Sequence, residues 1–450
     1  MGKAPLFPSP KELLMKRICL AALAVLVLWA GAARGASFTM PQAVDRALSA
    51  NATVQSKILT LEQARMNVGV AQSYFWPRVS VIAGHTNLQN NRDMASYSSD
   101  DLSSKTWTKS VRVSWSVFAG FAHLNNLQKS LLQVDMEAAR HRQARLELVS
   151  NVQLQFLALL QAREKLRTAT DAVARIRKQL DAAEAFVRVD MAPYANVLQN
   201  RVELSRAEQE VIRCKNEIRN AEVQLNRYLG FLPHDRVDYR GRLQDFSLAP
   251  VRLSEEQAIN TALCSRPDLI MAQKSVAVAF KDMHARMGQY LPRVDITYDN
   301  ARYSKDYDDR RYKDYTRSYW SVGINASWEI FSGGETTFGT LGDRKRAQAL
   351  RKDYEDAMGG ARTEVIRARL DMAAARELIT TTRYGVDAAR ENYAMAEKRY
   401  MTSIGTITDL VDAQTRLTEA ERDASQALAD YQSARARFFF HIGQENRDLK

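Results

Sequence analysis

The chain has 450 residues, 46% of them hydrophobic and 26% charged, with 64 Lys and Arg against 52 Asp and Glu for a formal charge of +12. Length leaves room for two or three domains, and the apolar share is that of a folded chain. The basic residues alternate with acidic ones along most of the length, with one short cluster at Arg344-Lys345-Arg346, so the charge does not describe a nucleic-acid binder.

At the N-terminus, Lys16 and Arg17 precede an apolar run from Ile18 to Ala33 that ends in the small residues Gly31–Ser37. A positive head, a short apolar core and a small-residue exit predict a secretory signal peptide over residues 1–36, with Met15 as an alternative start. Cys19 stands at the beginning of the apolar core, where it does not suit lipid attachment. Cys214 and Cys264 remain in the exported part; their spacing permits one disulfide and equally two separate thiols, the reading adopted here. No later segment is apolar enough for a spanning helix, so membrane insertion would have to use β-strands.

Residues 37–245 form a first unit that recurs over 254–447 at a shift of about 213–215 residues, with 246–253 as linker. Each unit opens on a capping-box signature, Thr39 with Gln42 and Ser254 with Gln257. In the first unit, a helix near 52–75 leads through Trp76-Pro77-Arg78-Val79 into predicted strands at 77–89 and 106–118. Val79, Val81 and Ala83 share one face, as do Val111, Val113, Trp115 and Val117, and the opposite face is polar. A polar loop, Asn90–Lys105, separates the two strands.

From Leu131 an apolar stepping of three and four residues, through Leu148, Val152, Leu159, Val173 and Ile176 to Val187, predicts a helix over about 121–187. Such a helix would be on the order of 100 Å long. The next helix, about 194–229, repeats every seven residues at Val197, Leu204, Val211, Ile218 and Leu225, which is coiled-coil patterning.

The second unit follows suit. Leu291-Pro292-Arg293-Val294 leads into predicted strands at 292–304 and 317–331, separated by a loop at Lys305–Thr316. Their apolar faces hold Val294, Ile296 and Tyr298, then Val322, Ile324, Ala326, Trp328 and Ile330. Leu410, Leu417, Ala424, Tyr431 and Phe438 mark the last helix. The six histidines have no i, i+4 pair and no zinc-ligand spacing with cysteine, and Phe331–Gly334 lacks the Gly-Lys-Ser/Thr ending of a phosphate loop. No metal site and no cofactor is expected.

Four two-faced strands suit a membrane barrel with the apolar face outward. Four cannot close one, because small barrels need about eight. Open edges in lipid leave amides unpaired, so several copies must pool their strands. The competing reading is a periplasmic coiled-coil scaffold or adaptor without a barrel.

The Pro-x-Val strand starts, the Trp-x-Val/Ile-Phe-x-Gly exits, the Ala47-Leu48-Ser49-Ala50-Asn51 helix and the duplicated helix–strand–strand–helix order together resemble the TolC-like outer-membrane efflux protein family. The resemblance covers essentially the whole exported chain. It implies a mostly α chain with a small β part, in a homotrimer whose twelve-stranded outer-membrane barrel continues as a periplasmic coiled-coil tunnel. It implies an export duct in tripartite efflux or type I secretion, with no catalysis of its own. Partners would be outer-membrane lipid, a periplasmic adaptor (membrane fusion protein) and an inner-membrane transporter of RND, ABC or MFS type.

The resemblance also assigns site residues. Asp409 and Asp412 match aspartates that ring the periplasmic aperture, and their three-residue spacing puts both on one helix side. A hydrolase built on this pair is the enzymatic alternative. Tyr400 matches an aperture-latch residue, while Gly405 stands where a latching arginine is known in the family. The adaptor-docking tips, usually Val-Gly-Leu/Thr, read Val189-Asp190-Met191 and Thr402-Ser403-Ile404.

Overall fold

The structure, a computed structural model, describes residues 37–90, 102–307 and 315–446; the predicted signal peptide and most of the two strand-connecting loops lie outside them. In chain order the elements are β1 (Ser37–Phe38), α1 (Met40–Ala50), α2 (Ala52–Ser73), β2 (Arg78–Asn90), β3 (Leu102–Ala119), α3 (Ala122–Arg188) and α4 (Ala195–Leu229). There follow β4 (Asp238–Tyr239), α5 (Glu255–Ser265), α6 (Pro267–Met287), β5 (Arg293–Tyr307), β6 (Tyr315–Ser327), α7 (Glu335–Met401) and α8 (Ile407–His441). The chain is thus mostly helical with a small sheet. Among the described residues no helix is long and apolar enough to cross a membrane.

Both predicted capping boxes start helices. The Thr39 N–H donates to Gln42 Oε1 at 3.0 Å. Ser254 N–H donates to Gln257 Oε1 at 3.1 Å, and Ser254 Oγ accepts from the Gln257 N–H at 3.2 Å. Uninterrupted by proline, α3 and α7 each run 67 residues.

Contacts divide the chain into two compact units, and each takes segments from both sequence repeats. One unit holds residues up to Ser56, Arg142–Arg266 and Gly359 onward. Its core along α3 includes Leu148, Val152, Phe156, Leu159, Val173 and Ile176, all buried. Phe156 meets Tyr239 edge-on at 6.1 Å. Burial pushes the Tyr239 phenol well above its ordinary pKa, and its hydroxyl donates to Asn226 Oδ1 at 2.6 Å. On α8, Leu410, Leu417, Tyr431 and Phe438 are buried as the seven-residue repeat predicts. Cys214 is buried and Cys264 exposed, both as free thiols.

The other unit holds Lys57–His141 and Pro267–Met358. It contains a four-stranded antiparallel sheet in the order β2-β3-β5-β6. Register aligns Val79, Val113, Tyr298 and Val322 in one cross-strand row and Ser80, Arg112, Asp299 and Ser321 in the next. Alternation then puts the two rows on opposite faces. On the polar face, Arg112 Nε lies 2.6 Å from Asp299 Oδ1. The apolar row faces outward: Val81 is 78% and Ile324 75% exposed. Beside the sheet, Lys129–Asp282 at 2.6 Å and Lys274–Asp135 at 2.7 Å tie α3 to α6, and Arg286–Asp343 at 2.6 Å ties α6 to α7.

The structure corrects the expected strands in three places. The second, third and fourth strands reach into stretches expected as loop, Leu102–Lys105, Lys305–Tyr307 and Tyr315–Thr316, because backbone pairing continues where the apolar alternation has stopped. The fourth ends at Ser327, not 331; the β5 ladder begins at Arg293, opposite Ser327, so Trp328–Phe331 have no partner there. Register also shifts between Ser116 and Phe118, so Val117 sits in a β-bulge and Phe118, opposite Val294, takes its place in the apolar row. On α3, Leu131 is exposed in the single chain, and the continuously buried seam starts near Leu146.

Candidate functional site

The turn between α7 and α8 carries most of the predicted site. Helix α7 ends in a Schellman motif: Ile404 N–H donates to Arg399 O at 2.9 Å and Ser403 N–H to Tyr400 O at 3.0 Å. Closing it forces Ser403 to φ +59°, a left-handed conformation that favours glycine. Gly405 lies tight against the helix end, where a Cβ would come within 3.0 Å of the Arg399 Cβ. A long side chain at 405 would need the turn to shift.

Helix α8 then starts on a third capping box. Thr406 Oγ1 accepts from the Asp409 N–H at 3.1 Å and donates to Asp409 Oδ2 at 2.7 Å, while Thr406 N–H reaches the same oxygen at 3.3 Å. These bonds, with the Arg399 charge adding to them, hold the Asp409 carboxyl below the usual carboxylate range. Asp409 and Asp412 are both exposed, whereas Leu410 and Ala413 between and beside them are buried. The two carboxylates therefore look away from the packed side of the hairpin, one turn apart.

Tyr400 points the other way. It is 4% exposed, in a cluster with Tyr393, Ile407, Leu410, Ala413 and Leu417, and its ring meets Phe186 at 5.7 Å. The phenol makes no hydrogen bond of ordinary geometry, and burial raises its pKa.

Sequence reasoning missed the polar ties between α3 and the α7–α8 hairpin. Arg175 Nε donates to Gln414 Oε1 at 3.1 Å, and its Nη2 reaches Glu421 Oε2 at 3.2 Å and Thr418 Oγ1 at 3.4 Å. Gln179 donates to the Tyr393 hydroxyl at 3.3 Å, which in turn donates to Glu397 at 3.4 Å. No short motif marks these residues. The Thr406–Asp409 box, by contrast, was readable as a Thr-x-x-Asp signature.

The α3–α4 turn repeats the α7–α8 geometry. Met191 N–H donates to Phe186 O at 2.9 Å and Asp190 N–H to Val187 O at 3.1 Å, with Asp190 at φ +56°. Val189 and Met191 are exposed, as are Thr402, Ser403 and Ile404 on the other turn. The two predicted tips are thus matched turns with an accessible apolar residue beside each left-handed position.

A family model described as "Outer membrane efflux protein" matches residues 43–231 and 258–444. The chain is 22% identical over 406 residues to the outer membrane efflux protein BepC of Brucella suis, covering 87% of this chain and 84% of that one. It is 23% identical over 317 residues to the alkaline protease secretion protein AprF of Pseudomonas aeruginosa, covering 70% and 65%. In fold it is similar to the CmeC outer membrane channel of Campylobacter jejuni, with a TM-score of 0.78 at 16% identity over 90% of this chain and 85% of that one.

Proposed function

The chain belongs to the outer membrane efflux protein family, and on that premise we propose how its parts serve as an export channel of the outer membrane. Three copies contribute four strands each to a closed transmembrane barrel, and their helices continue it as a tunnel through the periplasm. The observation that carries this reading is the open four-stranded sheet with an outward apolar face. Its edge strands β2 and β6 lack partners among the described residues, which lipid does not tolerate unless other copies supply them. Further support comes from apolar residues left exposed on single helices at helical spacing, Leu59, Met66 and Val70 on α2 and Leu198 and Val202 on α4. These suit a seam between copies.

The duct works as the outer-membrane component of a tripartite efflux or type I secretion system, and its resemblance to a protease secretion protein fits the latter as well as the former. Its partners are a periplasmic adaptor and an inner-membrane transporter. The exposed tips at Val189–Met191 and Thr402–Ile404 are the docking points for the adaptor. The Asp409 and Asp412 carboxylates of three copies ring the periplasmic aperture and favour cations by their field. Tyr400, buried against Phe186, latches the α7–α8 hairpin from within the chain.

The test is fractionation followed by conductance. The protein should sediment with outer membranes, run as a trimer in mild detergent, and form cation-preferring channels in planar bilayers. Replacing both Asp409 and Asp412 by alanine should raise conductance or abolish the preference; unchanged channels would remove the aperture assignment. A monomer that washes free of membranes would remove the barrel.

A further inference from the structure

The outward face of the sheet changes character along its length. Positions two apart on a strand share a face. Strand β3 therefore places Val113, Val111, Lys109, Trp107 and Lys105 outward, and β5 places Tyr298, Asn300, Arg302 and Ser304 there. Near the helices this face is apolar, with Val294 and Ile296 on β5 and Val322 and Ile324 on β6. Its charged positions among the described residues, Lys105, Lys109, Arg302 and Asp306, all lie toward the opposite end, beyond the row of Val81, Val111, Asn300 and Trp320.

Lys109 and Arg302 are direct cross-strand partners. Such partners hold their Cβ atoms about 5 Å apart, and like charges placed so repel. Lys105, by contrast, stands opposite Asp306 in the register. The positions flanking Lys109 and Arg302 on the same face are Val111 and Asn300 on one side and Trp107 and Ser304 on the other, none of them acidic. Both cations are exposed, and neither forms an ion pair among the described residues. Two adjacent cations in this position are relieved by an anion that bridges them.

Their place on the sheet says which anion. From Val294 to Arg302 strand β5 rises about 27 Å, which at a barrel's tilt is about 20 Å of height, close to the roughly 25 Å apolar band of such barrels. A cation is costly in the middle of that band and tolerated at its edge. Trp107, 51% exposed, stands one row further out, at the level where an indole meets headgroups. The helices leave from the other end of the sheet, so on the barrel reading this edge belongs to the outer leaflet. We propose that Lys109, Arg302 and Trp107 form a docking surface for a phosphorylated lipid of the outer leaflet. Its acyl chains lie against Val81, Val111 and Trp320, and its phosphate bridges the two cations. A free phosphate would meet the cations and forgo the apolar rows below them. The proposal rests on the barrel reading above and deepens it by naming the lipid chemistry.

The experiment adds diphosphoryl lipid A to the purified full chain in an uncharged detergent and reads bound lipid by native mass spectrometry. Parallel arms use dephosphorylated lipid A, phosphatidylcholine, and diphosphoryl lipid A with sodium phosphate as competitor against sodium chloride at matched ionic strength. The expected result is saturable binding of diphosphoryl lipid A that sodium phosphate does not displace. The dephosphorylated lipid and phosphatidylcholine, whose own choline offsets its phosphate, should each bind about tenfold more weakly. Lys109→Gln and Arg302→Gln should each weaken diphosphoryl lipid A about tenfold, and Lys109→Arg should bind like the parent. Without lipid, Lys109→Gln should unfold at or above the parent's temperature, because it removes a like-charge pair. That variant separates lost recognition from lost folding and decides the matter if Arg302→Gln does not fold. Equal binding of the three lipids, or binding indifferent to these variants, overturns the surface. Displacement by sodium phosphate overturns the lipid as its occupant. A monomer that washes free of membranes removes the barrel and this surface with it, whereas trimeric channels without phosphate-dependent lipid binding remove this surface alone.

Discussion

The Thr406 hydroxyl donates to the Asp409 carboxylate at 2.7 Å and accepts the Asp409 backbone N–H at 3.1 Å. One residue thereby starts helix α8 and keeps charged a carboxylate assigned to the aperture. Thr406→Ala should cost about 1 kcal/mol of stability through the lost cap, measured by urea unfolding. A carboxyl with a depressed folded pKa adds stability above its unfolded pKa and loses it as pH falls through the folded one. The parent channel should therefore keep its cation preference further into acid than the variant. The midpoint of that loss, read from reversal potentials, should move to higher pH in Thr406→Ala.

Asp409 and Asp412 should separate in their effects. Asp412 is exposed and takes no part in the cap, so Asp412→Asn should lower cation preference at no cost in stability. Asp409→Ala removes both charge and cap acceptor and should lower both. Equal stability losses in the two variants would contradict the division of roles.

Asp190 and Ser403 hold left-handed backbones at φ +56° and +59° to close their helix ends. Glycine at either place should stabilise by a few tenths to about 1 kcal/mol, and valine should destabilise by about 1 kcal/mol or more. Thermal unfolding of the four single variants checks the sign.

The strand-to-helix corners differ between the repeats. A Cβ on Gly120 would stand 1.9 Å from the Gly288 carbonyl oxygen, and one on Gly288 would stand 2.2 Å from the Gly120 carbonyl oxygen. Gly333, the counterpart of Gly120, has open space around it and only its φ of +63° to lose. Gly120→Ala and Gly288→Ala should keep the chain from reaching its folded form. Gly333→Ala should fold with a loss of about 1–2 kcal/mol. Electrophoresis with and without boiling distinguishes them.

Much of this protein is legible locally. Alternation at Val111, Val113 and Trp115 and heptads at Leu410 and Leu417 announce strand and helix, because side-chain direction follows the backbone period. The duplication is equally visible, and it extends to contacts: the Trp115 indole donates to Phe75 O at 3.0 Å and its counterpart Trp328 to Tyr290 O at 3.1 Å. The resemblance singles out Asp409 and Asp412, and their three-residue spacing puts both on one helix side.

Other features depend on which distant segments meet. Tyr400 reads as a latch displayed near the turn, yet packing buries it against Phe186, more than two hundred residues earlier in the chain. Val117 continues an apolar alternation, and only pairing with β5 reveals the bulge that displaces it. Arg78, His123 and Arg293 stand far apart in the chain and border one cavity. Backbone period, turn chemistry and capping are properties of a few neighbouring residues, so the amino-acid order alone determined the elements and their duplication. Burial, register and the convergence of charges are properties of contacts between remote segments, and those the tertiary structure alone decided.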